Sequence, residues 1–195
     1  MATIKQGRAS AVTDLGDGTI LRTGGRPEAE ARMMELARSH GFPVPRVHEV
    51  RPDGLVLERI DGPTMGAAIR RRPWLGGRHV RTLAELHERL HRIPFDGAAL
   101  VHFDLHPDNV LMSASGPVVI DWTNAHGAEP TSDVAMTWLI LATSAGLPGR
   151  FLAALFKRRV GREVLARGID GARAFRLDDP HVSDDERSRV RRLSP

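Results

Sequence analysis

The sequence has 195 residues, with 28 lysine and arginine against 24 aspartate and glutamate side chains, which gives a net charge of +4 at neutral pH. This length suffices for one domain or two small lobes around a buried core. A charge excess this small does not indicate a nucleic-acid-binding protein, because such binding needs basic residues gathered on one face. With no cysteine, neither a disulfide framework nor a thiolate metal site can form.

The chain shows no pattern typical of secretion or membrane insertion. Its first ten residues, MATIKQGRAS, lack the apolar core of a signal peptide. The longest apolar run, VAMTWLILATSAG, is too short to span a bilayer, which takes about 20 residues. We therefore expect a cytoplasmic protein whose partners include neither a membrane nor a nucleic acid.

The first third of the chain has the pattern of a small β-rich lobe. Three short β-branched runs separated by glycine turns predict a β-meander over residues 2 to 23. A helix should begin at Pro27 and end at Gly41, where glycine and two following prolines stop it. Two more strands within residues 46 to 60, joined by the turn PDG, complete a lobe that we assign to residues 1–60.

The remaining residues, 61–195, have a mainly helical pattern. Apolar residues recur with helical spacing after residue 64 and again from about residue 131. Between them the segment NVLMSASGPVVID, residues 109 to 121, has two strand-like runs and predicts a hairpin. The charged tail after Pro180 is expected to be loose.

The hairpin would bring two oxygen ligands together at its open end. If the turn ASG pairs Ser113 with Pro117, Asn109 lies opposite Asp121, with Cβ atoms about 5 Å apart. An amide oxygen and a carboxylate suit Mg²⁺, which keeps waters and phosphate oxygens in its other positions. Asp104 lies in the loop that enters the same end, close enough to act on a group held by the metal.

The segment HFDLHPDNVLM, followed by VVIDW, resembles the catalytic loop and metal-binding aspartate of the aminoglycoside phosphotransferase and choline kinase family, small-molecule relatives of protein kinases. The resemblance covers about residues 5 to 145. It implies an α+β, two-lobed protein-kinase-like fold, with a reduced and mainly helical second lobe. It also implies an ATP-dependent phosphotransferase that uses Mg²⁺ and moves the γ-phosphoryl group to a hydroxyl of a small polar or cationic molecule.

The resemblance assigns a role to each matching residue. Asp104 would be the catalytic base, and Asn109 and Asp121 would hold Mg²⁺. Three residues would support the catalytic loop, namely His102, His106 and Asp133. Six residues would bind the nucleotide: Ser10 in the phosphate loop, Arg22 paired with Glu30, and the connector residues Glu58, Arg59 and Ile60.

Two features depart from the family pattern, and one other function stays open. The phosphate loop QGRASAV is poor in glycine, and Arg22 stands where protein kinases carry lysine. The glycine-poor loop and the short second lobe fit a nucleotide-binding pseudokinase that acts as a regulatory or interaction module. Retention of Asp104, Asn109 and Asp121 together favours the enzyme. A protein kinase is disfavoured, because no long activation segment follows Asp121.

The other histidines receive less specific predictions. His102 and His106 have the spacing of a zinc pair, but the proline that follows argues against a helix, which favours a loop-shaping role. His87 and His91 are interpreted as packing or solvated positions without chemistry. The acceptor site is expected to be shallow and open, bounded by Asp104, residues 123 to 129 and a helix from Gly149.

Overall fold

The computed structural model describes residues 2–6, 11–143, 146–180 and 182–195. Five strands form an antiparallel sheet in the order β1-β2-β3-β5-β4. Their bounds are β1 (Ala2–Gln6), β2 (Ala11–Asp14), β3 (Thr19–Thr23), β4 (Val47–Arg51) and β5 (Gly54–Glu58). The helix α1 (Pro27–Ser39) connects β3 to β4 and packs against β4 and β5.

The sequence of α1 explains both its ends and its buried face. Pro27 opens the helix, where its missing N–H costs nothing, and acidic residues in the first turn favour the helix dipole. Gly41 follows the helix with φ +72°, a left-handed conformation that glycine adopts without a Cβ clash. The buried face carries Met33, Met34 and also Glu30, a charged residue that is only 2% exposed.

The rest of the chain is mainly helical, with two small sheets. The helices are α2 (Met65–Arg71), α3 (Gly76–Leu90), α4 (Pro130–Thr143), α5 (Gly146–Val160), α6 (Arg162–Asp178) and α7 (Asp184–Arg192). The strands are β6 (Pro94–Phe95), β7 (Ala98–Val101), β8 (Val110–Ser113), β9 (Gly116–Val119) and β10 (His126–Ala128). Strands β10, β7 and β6 form one antiparallel sheet, and β8 and β9 form a hairpin.

Helix α4 forms the centre of the helical part. Its run VAMTWLIL is buried on every side, which explains why the segment is apolar without being amphipathic. Helix α6 approaches it closely at Gly168, where an added Cβ would lie 1.9 Å from the carbonyl oxygen of Thr131. Glycine at this position therefore permits the two helices to pack with their backbones in near contact.

The mixed α+β class predicted from the sequence is confirmed. The short strands β6, β7 and β10 were not predicted, since runs of two to four residues give little periodicity. The division into lobes near residue 60 stays a prediction. In the described ranges no helix is both long and apolar enough to cross a membrane.

The prediction of a loose tail after Pro180 is wrong. Ser183 accepts a hydrogen bond from the N–H of Glu186 and caps α7, and Val190 of that helix is fully buried. Arg187 donates to the carbonyl oxygens of Leu177, Val182 and Asp179, so it ties α7 to the end of α6. At least one charged side chain of this segment, Arg187, therefore helps to hold α7 against the end of α6.

Candidate active site

A cavity of about 870 Å³ is lined by the five-stranded sheet and by the loops above the helical part. This volume lies in the usual range of small-molecule sites. Eight of the residues predicted for catalysis, metal or nucleotide binding line it: Arg22, Glu30, Glu58, Arg59, Ile60, Asp104, Asn109 and Asp121. Ser10 lies outside the described residues.

The hairpin forms where the sequence predicted it, but its register is shifted by one residue. Ser113 pairs with Gly116 and not with Pro117, because the Ser113 hydroxyl accepts from the N–H of Ser115 and donates to Gly116 O, which closes a two-residue turn. Ile120 is consequently opposite Asn109 and donates its N–H to Asn109 O over 3.0 Å. The directly opposed pair of Asn109 and Asp121 was thus a wrong prediction.

Asp104 is nevertheless held beside Asn109. The Nδ2 of Asn109 donates to both the backbone oxygen and the Oδ2 of Asp104, over 2.9 and 2.8 Å. Phe103, just before Asp104, has φ +58°, a left-handed conformation that non-glycine residues rarely adopt and that turns the loop sharply. The Asp104 carboxylate is therefore fixed by the side chain five residues later in the same loop.

The Asp104 carboxyl is kept ionised by its neighbours. Burial pushes its pKa upward, but the hydrogen bond and the charge of the His106 ring, with smaller effects of His102 and Arg176, hold the pKa below its ordinary value on balance. The Nε2 of His106 lies 3.7 Å from Asp104 Oδ2. An ionised carboxylate here can accept a hydrogen bond from a hydroxyl group.

A chain of charges connects the sheet to the hairpin across the cavity. Arg22 of β3 donates from Nη1 to Glu30 Oε2 over 2.6 Å, and from Nη2 to Asp121 Oδ1 over 2.8 Å. The hydroxyl of Thr123 lies between them, accepting from Arg22 and donating to Asp121 Oδ1. Arg22 is 8% exposed, which excludes an ordinary surface ion pair.

The two predicted metal ligands each keep an oxygen free for a cation. In the described part of the chain, neither Asn109 Oδ1 nor Asp121 Oδ2 takes part in a hydrogen bond. Asp121 has φ +65°, and its side chain is 39% exposed towards the cavity. One amide oxygen and one carboxylate form a hard donor set, and both line the same cavity, so these residues fit Mg²⁺.

The loop-supporting residues lie beneath Asp104. Asp133 of α4 accepts the N–H of Phe103 at Oδ1 over 2.7 Å and the N–H of His102 at Oδ2 over 3.3 Å. Burial raises the pKa of Asp133, but His87 and His91 hold the pKa well below its ordinary value. The ring of His102 is fully buried, and burial lowers its pKa against the opposing effect of the nearby carboxylates.

His102 and His106 use their rings inside the loop. The Nδ1 of His102 accepts the N–H of Asp104, and the Nδ1 of His106 accepts the N–H of Asp108. The Nε2 of His102 lies 3.2 Å from the carbonyl oxygen of Ile120. These contacts favour the loop-shaping interpretation over a zinc pair.

His87 and His91 are the residues whose environment the sequence prediction missed. Both rings point from α3 at Asp133, with His91 Nε2 at 2.8 Å and His87 Nδ1 at 3.2 Å from Asp133 Oδ2. Their spacing of four residues places both on one face of α3. That spacing was visible in the sequence, but the aspartate they face is 42 and 46 residues away along the chain.

The connector residues Glu58, Arg59 and Ile60 border the cavity in different ways. The N–H groups of Glu58 and Arg59 donate to Arg46 O and Gly18 O, so the fold uses both donors. Among the described hydrogen bonds none involves the N–H of Ile60. This N–H is the connector donor that remains for a ligand.

The far side of the cavity differs from the expected acceptor wall. Helix α5, which contains Gly149, contributes none of the described lining residues. The wall is formed by Thr123 and Asn124, by Phe175 and Asp178 at the end of α6, and by Asp179 and Pro180 just after it. Phe175 packs against Phe103 with ring centroids 4.7 Å apart and the two rings tilted by 57°, which ties this wall to the catalytic loop.

Sequence comparison gives one family match and two relatives of known name. The profile of the Phosphotransferase enzyme family matches residues 95–174. A probable bifunctional tRNA threonylcarbamoyladenosine biosynthesis protein of Methanoculleus marisnigri is 29% identical over 130 residues, which are 58% of this chain and 23% of that protein. A probable serine/threonine-protein kinase, PkwA, of Thermomonospora curvata is 38% identical over 98 residues, 47% of this chain and 13% of that protein. The chain thus spans less than a quarter of either relative.

Solved structures share the fold over nearly the whole chain. The aminoglycoside phosphotransferase APH(4)-Ia superposes with a TM-score of 0.71 at 14% identity, over 97% of this chain and 89% of its own. A choline/ethanolamine kinase family protein from Mesorhizobium loti gives 0.65 at 16% identity, over 95% and 85% of the two chains. The resemblance to the aminoglycoside phosphotransferase and choline kinase family is confirmed. The protein-kinase-like fold of this family is the fold of this chain.

Proposed function

We propose that the protein is an ATP-dependent phosphotransferase that moves the γ-phosphoryl group of ATP to a hydroxyl group of a small molecule. The observation that carries the proposal is the Asp104 carboxylate, ionised and fixed by Asn109 in the cavity that also contains Arg22 and Asp121. A polar hairpin without function would not need a buried cation and three acidic or amide groups at one cavity. The family match over residues 95–174 supports the same activity.

In this proposal each residue acts by position and charge, as is usual for phosphoryl transfer. Asp104 accepts the hydrogen bond of the acceptor hydroxyl and orients its oxygen for in-line attack. Arg22, held by Glu30, contributes positive charge beside the transferred phosphoryl group. Mg²⁺, held by Asn109 and Asp121, would neutralise phosphate charge when it is bound. His102, His106 and Asp133 keep the loop in the required shape.

The nucleotide is proposed to lie between the sheet and the hairpin. Ile20, Leu57 and Leu111 supply apolar lining for a base, and the free N–H of Ile60 supplies a donor. Glu58 and Arg59 contribute backbone at the same edge, and Ser10 would complete the phosphate loop. The boundary between the nucleotide-binding lobe and the catalytic lobe is proposed near residue 60, and the cytoplasm is the proposed location.

The acceptor is proposed to be polar or cationic, in the manner of an aminoglycoside or an amino alcohol. The wall opposite the nucleotide carries Asp178 next to Phe175, and both line the cavity that contains Asp104. Carboxylates favour an amine-bearing acceptor by charge complementarity. A solved relative with this fold was crystallised as a ternary complex with AMP-PNP and hygromycin B.

The test is nucleotide-dependent phosphorylation of an acceptor panel, comparing amino sugars, amino alcohols and neutral sugars. Asp104→Asn should lower kcat by about 10²–10⁴-fold while leaving nucleotide affinity nearly unchanged, because the side chain acts on the acceptor. Transfer by this variant at a near wild-type rate would contradict the assignment. Nucleotide binding without transfer to any acceptor would instead favour the pseudokinase.

A further inference from the structure

One ring beneath the catalytic loop contacts two residues of α4 at once. His87 is 2% exposed, its Nε2 lies 2.8 Å from the hydroxyl of Thr137, and its Nδ1 lies 3.2 Å from Asp133 Oδ2. Thr137 and Asp133 are themselves fully buried and one helical turn apart. The proposed chemistry gives neither His87 nor Thr137 a role.

Asp133 and Thr137 bind the loop backbone at the residues directly before and directly after Asp104. Asp133 accepts the N–H of Phe103, the residue before Asp104, over 2.7 Å. Thr137 donates its hydroxyl to the carbonyl oxygen of Leu105, the residue after Asp104, over 2.6 Å. The backbone that carries the proposed base is therefore fastened by one contact upstream and one downstream.

The protons available to Thr137 determine which group donates in its hydrogen bonds with Leu105 and His87. The Thr137 hydroxyl has one proton, and the carbonyl oxygen of Leu105 can only accept, so the hydroxyl donates to Leu105. The hydroxyl must then accept from His87, whose Nε2 therefore carries hydrogen. His91, with Nε2 at 2.8 Å from Asp133 Oδ2, supports the upstream contact separately.

We propose that His87 and Thr137 are positioning residues for phosphoryl transfer, which act by fastening the carbonyl oxygen of Leu105 and so fix Asp104 from its downstream side. The inference rests on the proposed function, because it assumes that Asp104 orients the acceptor. Neither residue lines the cavity, so their effect reaches the acceptor only through the loop. Loss of the pair should lower kcat and leave the nucleotide KM nearly unchanged.

A threonine pair in α4 provides the matched test. Thr137→Val removes the hydroxyl at constant shape and should lower kcat by roughly 10–100-fold, since a misplacement of about 1 Å costs on that order. Thr137→Ser keeps the hydroxyl and should recover most of the loss. Thr143→Val is the control, because this buried hydroxyl donates within its own helix, to Leu139 O. Equal kcat values for the three variants would overturn the proposal.

Two substitutions of His87 separate the contribution of its Nε2 from that of its Nδ1. The amide nitrogen of glutamine reaches about as far as Nε2, and that of asparagine about as far as Nδ1. His87→Gln should therefore retain a larger part of kcat than His87→Asn. Equal or reversed losses would show that the contact with Thr137 does not matter. The metal content of the purified protein adds a further check, because His87, His91 and Asp133 lie close enough together to bind a metal ion. If the wild type contains zinc and His87→Asn does not, His87 is a metal ligand and the proposed positioning role is wrong.

Amide hydrogen exchange tests the geometry without any acceptor. Peptides covering residues 101 to 109 should exchange faster in Thr137→Val than in wild type, Thr137→Ser or Thr143→Val. If the wild type transfers phosphate to no acceptor, the proposed function fails, while the exchange data still decide whether Thr137 fastens the loop. Unchanged exchange in Thr137→Val would contradict the inference even in an active enzyme.

Discussion

Two buried charge clusters on either side of the catalytic loop differ in how completely their charges are paired. The loop cluster, Asp133 with His87 and His91, is closed around its carboxylate: Asp133 is fully buried and both of its oxygens accept hydrogen bonds, although His87 Nδ1 has no hydrogen-bond partner. The cavity cluster, Arg22 with Glu30, Asp121 and Thr123, is open. The side chain of Asp121 is 39% exposed there, and Glu30 Oε1 is buried without a hydrogen-bond partner.

The difference indicates which cluster serves folding and which serves ligands. A buried carboxylate whose two oxygens both accept hydrogen bonds is held rigidly, because breaking one of those bonds leaves a buried charge poorly paired. The cavity cluster keeps free oxygens and a cation that touches two carboxylates, so a phosphate or a metal can exchange with existing partners. The same kinds of side chain therefore carry different functions, depending on how completely they are paired.

The largest effect is expected where the loop cluster is broken. Asp133→Ala should lower the free energy of unfolding by about 3–5 kcal/mol, because it removes the acceptor of two backbone N–H groups and the hydrogen-bond partner of His91. Urea unfolding measures this loss. Asp170→Asn, which alters a carboxylate with an 89% exposed side chain on α6, is the control and should change stability by less than about 0.5 kcal/mol.

Substitutions in the cavity cluster should change ligand affinity more than the free energy of unfolding. Arg22→Ala should weaken ATP binding by roughly 10–100-fold and adenosine binding much less, since a charged hydrogen bond contributes about 1.5–3 kcal/mol. Arg22→Lys should recover only part of the affinity, because one ammonium group cannot reproduce the fork that contacts both Glu30 and Asp121. Calorimetry with ATP and with adenosine measures both affinities. An equal loss of affinity for the two ligands would indicate that Arg22 serves folding and not phosphate binding.

Asp121→Ala should remove the Mg²⁺-dependent part of nucleotide affinity, an effect of about tenfold if one charged ligand is lost. The expected signature is a Kd for ATP that no longer changes between EDTA and Mg²⁺. Thr123→Val is a matched control in the same cluster, because it removes a partner of Asp121 and keeps the carboxylate. An unchanged Mg²⁺ response in Asp121→Ala would mean that Asp121 is structural.

The contrast between the clusters also marks the limit of sequence-based prediction. The hairpin could be predicted from its two strand-like runs, whereas the catalytic loop and the pairing of Arg22 with Glu30 came from the resemblance to a known family. The hairpin register depended on the Ser113 side chain closing a shorter turn, which spacing does not encode. The contacts of His87 with Asp133 and Thr137 join α3 to α4 and arise only from helix packing.

The smallest expected effect concerns pH and again separates buried from exposed histidines. Burial holds the pKa of His79, His87 and His102 below the ordinary value of about 6.5, so the unfolded chain binds more protons than the folded one just below that pH. Stability should therefore fall as the pH is lowered through about 6.5, and the loss should end once the pH passes below the folded-state pKa values.

The slope is limited to about 1.4 kcal/mol per pH unit for each histidine, since one proton is taken up per ring. Urea unfolding between pH 7.5 and 5.5 measures it, and His87→Gln should reduce the slope because one of the three rings is removed. His40→Gln, which alters an exposed ring just after α1, should leave the slope unchanged. A slope that is equal in wild type and His87→Gln would mean that His87 is already protonated in the folded state, and the loop cluster would then be a buried ion pair.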